Sequence, residues 1–339
     1  MQQGHKILIL LLLAVSSVVN AAADDARPER PSEARLRLLS ASPDPDAWLL
    51  GAWMASAWCQ TDAADCDPVR AALLFERVLA QPPENPTLLR ILIGQLPQSL
   101  KGDPARLVSE KARLLARVQA LDPQSLPSWL PALPDSTDLK RRAEGAAVLA
   151  RAAQSTRAGE DFSETYRWLA KRLAKLPLEP SWVDNSISAP PEYAHRALAF
   201  AMSSAMATPG YLQVSRWCKE PGSWIDDCRA IARLFASGDT ILDRSLGKSM
   251  LKRLARTDAE QAEAQNIAAQ VDWLWAASAK CRVMEDQSVL SLWDQEGVTE
   301  ISLIEAQLEA RGLPIKPPVD AAMRKYPCGK TGVPVLDDL

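Results

Sequence analysis

TDAEQAEAQNIAAQVDWLWAASAKCRVM, residues 257–284, decides the fold class. Thr257 and Glu260 stand in the T-x-x-E spacing of a capping box, which satisfies two amide donors at a helix start. Ile267, Val271, Leu274, Ser278 and Cys281 then recur at steps of four and three, the spacing that gathers side chains on one stripe of a helix. A helix over Asp258–Met284 is predicted, with Cys281 on its buried side. The rest of the chain has the same character. Alanine and leucine dominate its 339 residues, only 14 are glycine, and strand-like alternation is hard to find. The 25 prolines cluster between apolar-periodic stretches, where they end one helix and open the next.

Working outward, the same reading places helices near 31–41, 46–59, 68–81, 86–97, 104–121, 137–156, 161–175, 189–206, 211–219, 223–236, 240–256, 285–294, 298–311 and 317–325. Asn85-Pro86 is a cap followed by proline at the first helical position. The stretch PLEPSWVDNSISAPP, residues 177–191, breaks the helical period and is rich in proline and serine. It divides the chain into a region 24–176 and a C-terminal helical region 192–339, which are expected either to stand apart or to run on as one array.

Residues 1–23 read as a signal peptide. Lys6 precedes an uncharged apolar run from Ile7 to Val19, and Ala21-Ala22-Ala23 precede Asp24-Asp25. That run is shorter than the roughly 20 residues a membrane helix needs. No cysteine near the expected cut offers a lipid anchor, so a periplasmic or secreted protein without a membrane span is expected. The 39 basic and 42 acidic residues give a formal net charge of −3, unlike the strongly basic surface of a nucleic-acid binder.

Six cysteines, Cys59, Cys66, Cys218, Cys228, Cys281 and Cys328, are an even set in an exported chain and are expected to form disulfides. Pairing between neighbours, Cys59–Cys66, Cys218–Cys228 and Cys281–Cys328, is favoured, because the first two pairs span helix–helix turns. Zinc is a poorer fit: there is no C-x2-C pair, and His195 is the only histidine after the signal segment.

Residues 71–86, AALLFERVLAQPPENP, resemble the second helix and exit turn of a tetratricopeptide repeat. Ala71 and Phe75 stand four apart, Val78 follows three later, and Pro83 five after that. Lys111, Leu115, Val118 and Pro123 reproduce these steps, with Lys111 in place of the small residue. Leu89 and Trp129 each stand six residues after the exit proline. The two exit prolines are 40 residues apart, against a usual period of about 34. The resemblance covers roughly 46–130. It implies antiparallel helix pairs stacked as a superhelix with a concave binding groove. In such repeats the small residue permits close helix approach, the aromatic fills the gap between units, and the proline ends each unit.

Motifs of chemistry are sparse. His195 lies in EYAHRALAFAM, an ordinary amphipathic pattern, and no G-x-S-x-G elbow occurs. The adjacent carboxylates Asp226-Asp227 and Glu285-Asp286 point about 100° apart on a helix and suit a helix start better than a shared site. Lytic transglycosylases also use exported helical superhelices, but the Glu-Ser pair of their catalytic domain is absent. Cys328-Gly-Lys-Thr-Gly332 lacks the upstream glycine of a phosphate loop. No catalytic residue, cofactor or metal is assigned. The motif Pro-Ser-Trp at 127–129 and 180–182, echoed at Pro221, Ser223 and Trp224, suggests a serine cap with a tryptophan packed backward.

The expected function is protein–protein binding or envelope scaffolding, with another protein or peptide segment as partner. The alternative is a cell-envelope enzyme that cleaves glycan through carboxylates. The oligomeric state is open.

Overall fold

The computed structural model describes residues 33–59, 68–159, 161–176, 194–204, 210–220, 222–281, 287–319 and 324. Among them the protein is all-α: fourteen α-helices, joined by short 3-10 turns, and a lone β-bridge between Ser125 and Arg157. The helices are α1 (Glu33–Ala41), α2 (Pro45–Cys59), α3 (Pro68–Ala80), α4 (Pro86–Ser99), α5 (Pro104–Leu121), α6 (Arg142–Ala152) and α7 (Asp161–Leu173). They continue as α8 (Ala194–Ser204), α9 (Tyr211–Trp217), α10 (Ile225–Ala236), α11 (Ile241–Leu254), α12 (Asp258–Lys280), α13 (Gln287–Leu292) and α14 (Glu300–Ala310). Residues 1–23, Cys66, Cys328, the 177–191 stretch, Glu285 and Asp286 lie outside the described residues, as does the side chain of Cys59.

Local chemistry explains most boundaries. α4 opens on Asn85, whose side-chain oxygen accepts from the amides of Thr87 and Leu88, with Pro86 at the first position. α12 opens on the Thr257–Glu260 capping box. The helix expected over 86–97 runs on to Ser99 through Pro97; a proline that close to the end forfeits one bond and the last turn closes around it. The helix expected over 137–156 is shorter, with a 3-10 turn at Leu139–Arg141 before α6. Residues 317–319 are not helical, so the last expected helix does not start there.

Sequential helices pack against each other, most closely α10 on α11, α2 on α3, α7 on α8, α11 on α12 and α4 on α5. Gly51 in α2 allows one such approach: a Cβ there would meet Leu74 of α3 at 3.0 Å and Leu39 of α1 at 3.3 Å. Gly247 in α11 faces the backbone of Ala232 and Ala236, where a Cβ would have no room.

Four apolar cores result. The first joins α2, α3, α4 and α5 through Leu74, Phe75, Leu89, Leu92, Leu115 and Val118. The second joins the 126–133 turns and α6 to α9, α10, α11 and the start of α12. In the third, Leu50 and Met54 of α2 and Tyr166 of α7 meet Ala199 of α8, Trp293 just past α13, and Leu303 of α14. The fourth lies between α12 and α14. The second and third cores each draw residues from both sides of 177–191.

The residues singled out for repeat packing fall as follows. Phe75, Val78, Leu115 and Val118 are buried together in the first core, Pro83 is buried and Ala71 half-buried. Pro123 is exposed, and Trp129 sits between two 3-10 turns (Leu126–Ser128, Leu130–Ala132) and packs against the second core. Pro127 and Pro131 restrict the backbone there, so no α-helix forms at that point. Sequential helices therefore pair on both sides of the 126–132 turns, where the chain is not α-helical. Cys218 and Cys228 form a disulfide with Cα atoms 5.6 Å apart, both fully buried. Cys281 is buried and disulfide-bonded, its partner lying outside the described side chains.

Candidate functional site

Two polar features stand out: a buried spine and an open depression. The spine begins at Arg90, a cation set in the apolar run of α4 and only 4% exposed. Its guanidinium donates to both carboxylate oxygens of Asp161, at 2.8 and 2.5 Å. It also donates to Asp122 at 3.3 Å, Ser128 Oγ at 3.1 Å and Thr87 Oγ1 at 3.0 Å. Asp122 accepts a further bond from Arg157 at 2.5 Å, and the Thr87 hydroxyl donates to Glu164. One buried cation thus ties α4, the end of α5, the 126–128 turn and the start of α7. Burial works against the Arg90 charge, but Asp161 and Asp122 more than offset it and raise its pKa. The network meets solvent through Arg157, 55% exposed, and through Asp161, 27% exposed.

The spine continues through Tyr211 at the start of α9, whose hydroxyl donates to Asp243 of α11 at 2.5 Å. Burial raises the Tyr211 pKa well above its usual value, with Asp243 adding to the effect. Burial pushes the Asp243 carboxyl up to about 6, against the pull of its bonds from Tyr211 and Thr240. Glu300 at the start of α14 accepts the backbone N–H of Ile241 at 2.9 Å, and burial raises it to about 7. Three carboxyl groups are therefore gathered, but each is engaged in holding helix starts together.

The depression lies on another face. It holds about 420 Å³ and is lined by Lys219, Glu220, Gly222 and Ile225, then Arg253, Leu254 and Arg256. The first four belong to the loop closed by Cys218–Cys228; the others form the end of α11 and its exit. Lys219, Arg253 and Arg256 have no carboxylate within 4 Å among the described residues. Arg253 donates only to the Ser215 carbonyl, at 3.4 Å, and burial lowers its pKa. The contrast with other arginines is sharp: Arg106 holds Glu76, Arg141 holds Glu144, Arg172 holds Asp44, Arg229 holds Glu260 and Arg233 holds Glu263.

Asp226 and Asp227 lie in the first turn of α10, as their spacing suggested, and Asp226 pairs with Arg229 at 3.1 Å. His195 is half-buried in α8, and burial, then the adjacent Arg196, lowers its pKa. Leu126–Ser128 and Gly222–Trp224 form 3-10 turns. The indoles point backward, Trp129 donating to the Pro123 carbonyl at 3.0 Å and Trp224 to that of Trp217 at 3.3 Å. Ser128 caps no helix; its hydroxyl is taken by Arg90. Among the described residues no group of three or more His, Cys, Asp or Glu is arranged to hold a metal ion. No helix there is long and apolar enough to cross a membrane.

Sequence reasoning passed over both features. Arg90 had a signal, since a charge inside Leu88-Leu89-Arg90-Ile91-Leu92 implies a buried partner. The depression had none, because its cations come from segments 34 residues apart, Lys219 and Arg253. No protein-family model, curated protein or solved structure matches the chain.

Proposed function

We propose that this chain is an exported, non-catalytic helical-repeat protein that holds a segment of another protein in the cell envelope. The observation that carries the reading is the depression beside Cys218–Cys228, lined by three cations that have no carboxylate partner among the described residues. A cation left unpaired at a concave surface gains most from an external anion. The tetratricopeptide-like part of the reading is supported by α2–α3 and α4–α5, successive helix pairs that share one core through Phe75, Val78, Leu115 and Val118. Export is supported by the apolar N-terminal run and by a buried disulfide, a bond that persists in oxidising compartments.

A photo-crosslinking side chain at Ile225 tests this in whole cells. A defined protein captured there, and not from a control at exposed Leu139, is the expected result. No captured protein would overturn it.

The collected carboxyls Asp161, Asp243 and Glu300 favour a second reading, a glycan-cleaving enzyme, since raised carboxyl pKa values accompany general acids. Against it, Asp243 is bound by Tyr211 and Thr240 and is 3% exposed, and Glu300 caps α11. Release of soluble fragments from purified cell-wall glycan, abolished by Glu300→Gln, would establish the second reading instead.

A further inference from the structure

The geometry of the depression points to its ligand: we propose that the Cys218–Cys228 loop and the end of α11 form a site for an acidic peptide segment carrying an aliphatic residue beside its carboxylates. The inference rests on the protein-binding reading and names the chemistry of the partner. Charge sets the first requirement. Lys219, Arg253 and Arg256 face a single lining carboxylate, Glu220, so the site carries an excess of positive charge. Two of the three cations are arginines, whose planar forks match carboxylate oxygens two at a time. Arg253 is partly desolvated, which strengthens its hold on an incoming anion.

Shape sets the second requirement. Ile225 and Leu254 are part of the same lining, so the site offers aliphatic surface next to its cations. A bare inorganic anion would leave that surface unused. The depression is open to solvent, which suits a chain passing across it better than a small molecule enclosed within it.

The disulfide sets the third. Lys219, Glu220, Gly222 and Ile225 all lie within the ten-residue separation that Cys218–Cys228 closes, whereas Arg253, Leu254 and Arg256 are carried by the α11 frame. Opening the bond frees one wall of the site from the other. Binding is therefore expected only in the oxidised protein.

The test is fluorescence anisotropy of the full chain with a labelled synthetic peptide of alternating leucine and aspartate or glutamate. The matched peptide carries asparagine and glutamine instead. The acidic peptide should bind, the amide peptide should not, and added salt should weaken the complex. Arg253→Glu with Arg256→Glu should weaken binding by about tenfold or more, the effect of roughly 1.4 kcal/mol. Lys101→Glu, an exposed cation elsewhere, should leave it unchanged. Arg253→Gln with Arg256→Gln serves if the reversed charges disturb folding, and should also weaken binding. The Cys218→Ser, Cys228→Ser protein, confirmed as folded by its far-ultraviolet spectrum, should lose affinity while Lys101→Glu does not. Equal binding of the two peptides, or no effect of either arginine pair, would overturn the proposal. So would anionic phospholipid vesicles or inorganic phosphate that bind through the same arginines while the acidic peptide does not. Failure of the protein-binding reading looks different: the peptide binds as described, but cross-linking at Ile225 recovers no protein.

Discussion

Arg90 and Gly247 show how single residues constrain this fold. Arg90 is almost fully buried between two carboxylates and two hydroxyls, and every donor it directs inward has an acceptor. Removing the cation alone leaves Asp161 and Asp122 facing each other across low-dielectric protein. Arg90→Ala is expected to cost about 3–5 kcal/mol, read from the urea midpoint. Arg90→Met with Asp161→Asn and Asp122→Asn should recover a large part of that loss, because no buried charge is then stranded and Arg157, released from Asp122, is 55% exposed to solvent. Gly247 is the converse case, a residue poor for helices that packing demands. A methyl there meets the backbone of Ala232 and Ala236, which cannot rotate away as a side chain would. Gly247→Ala should therefore destabilise by about 1–3 kcal/mol despite alanine's better helix propensity.

Helix starts are the element-scale theme. α11 begins at Ile241, whose amide is taken by Glu300 of α14, while the Ile301 amide of α14 donates to the Asp239 carbonyl at 3.1 Å. Each helix start thus helps to cap the other, at the expense of burying Asp243 and Glu300. The groups that face them are Tyr211, Thr240, Asp239, Asp161 and Ile241's amide. Both carboxyls are raised, from 3.8 to about 6 and from 4.5 to about 7. Between those limits the folded chain binds more protons than the unfolded one, so stability falls as pH rises from about 4 to about 7. Each group contributes on the order of 2–3 kcal/mol to that fall. Glu144 and Glu263, lowered first by Arg141 and Arg233, act in the opposite sense only as pH falls below about 4.5, while His195, lowered from 6.5 by burial, offsets part of the fall as pH rises toward 6.5. Urea titrations from pH 4.5 to 8 should show declining stability, and Glu300→Gln should flatten the upper part of the curve.

At the scale of the whole molecule, the cores decide what can be separated. Leu126, Leu130 and Leu149 pack with Val214, Ile231 and Phe235, while Leu50 and Tyr166 pack with Ala199 and Trp293. A chain ending at Leu176 would expose one face of each of these cores. It is expected to lose cooperative unfolding and to bind a hydrophobic dye, measured against the full chain in one calorimetric and one fluorescence experiment. Opening Cys218–Cys228 should cost about 3 kcal/mol by the loop-entropy estimate, yet leave most helices in place.

Helical periodicity and capping chemistry are local properties, and the amino-acid sequence alone determined them. The stripe from Ile267 to Cys281, the Thr257–Glu260 box and the Asn85-Pro86 start place helices because a helix satisfies its own backbone within a few residues. The short-range pairing Cys218–Cys228 was legible for the same reason. Tertiary structure alone decided which helix faces meet after Leu121, where Pro127 and Pro131 hold the chain in 3-10 turns. It also brought Arg90 to Asp161 and put Lys219 and Arg253 in the lining of one depression. Those pairings join residues from different helices, and no periodicity along one segment encodes the distance to another; only the burial of several apolar stripes at once sets it.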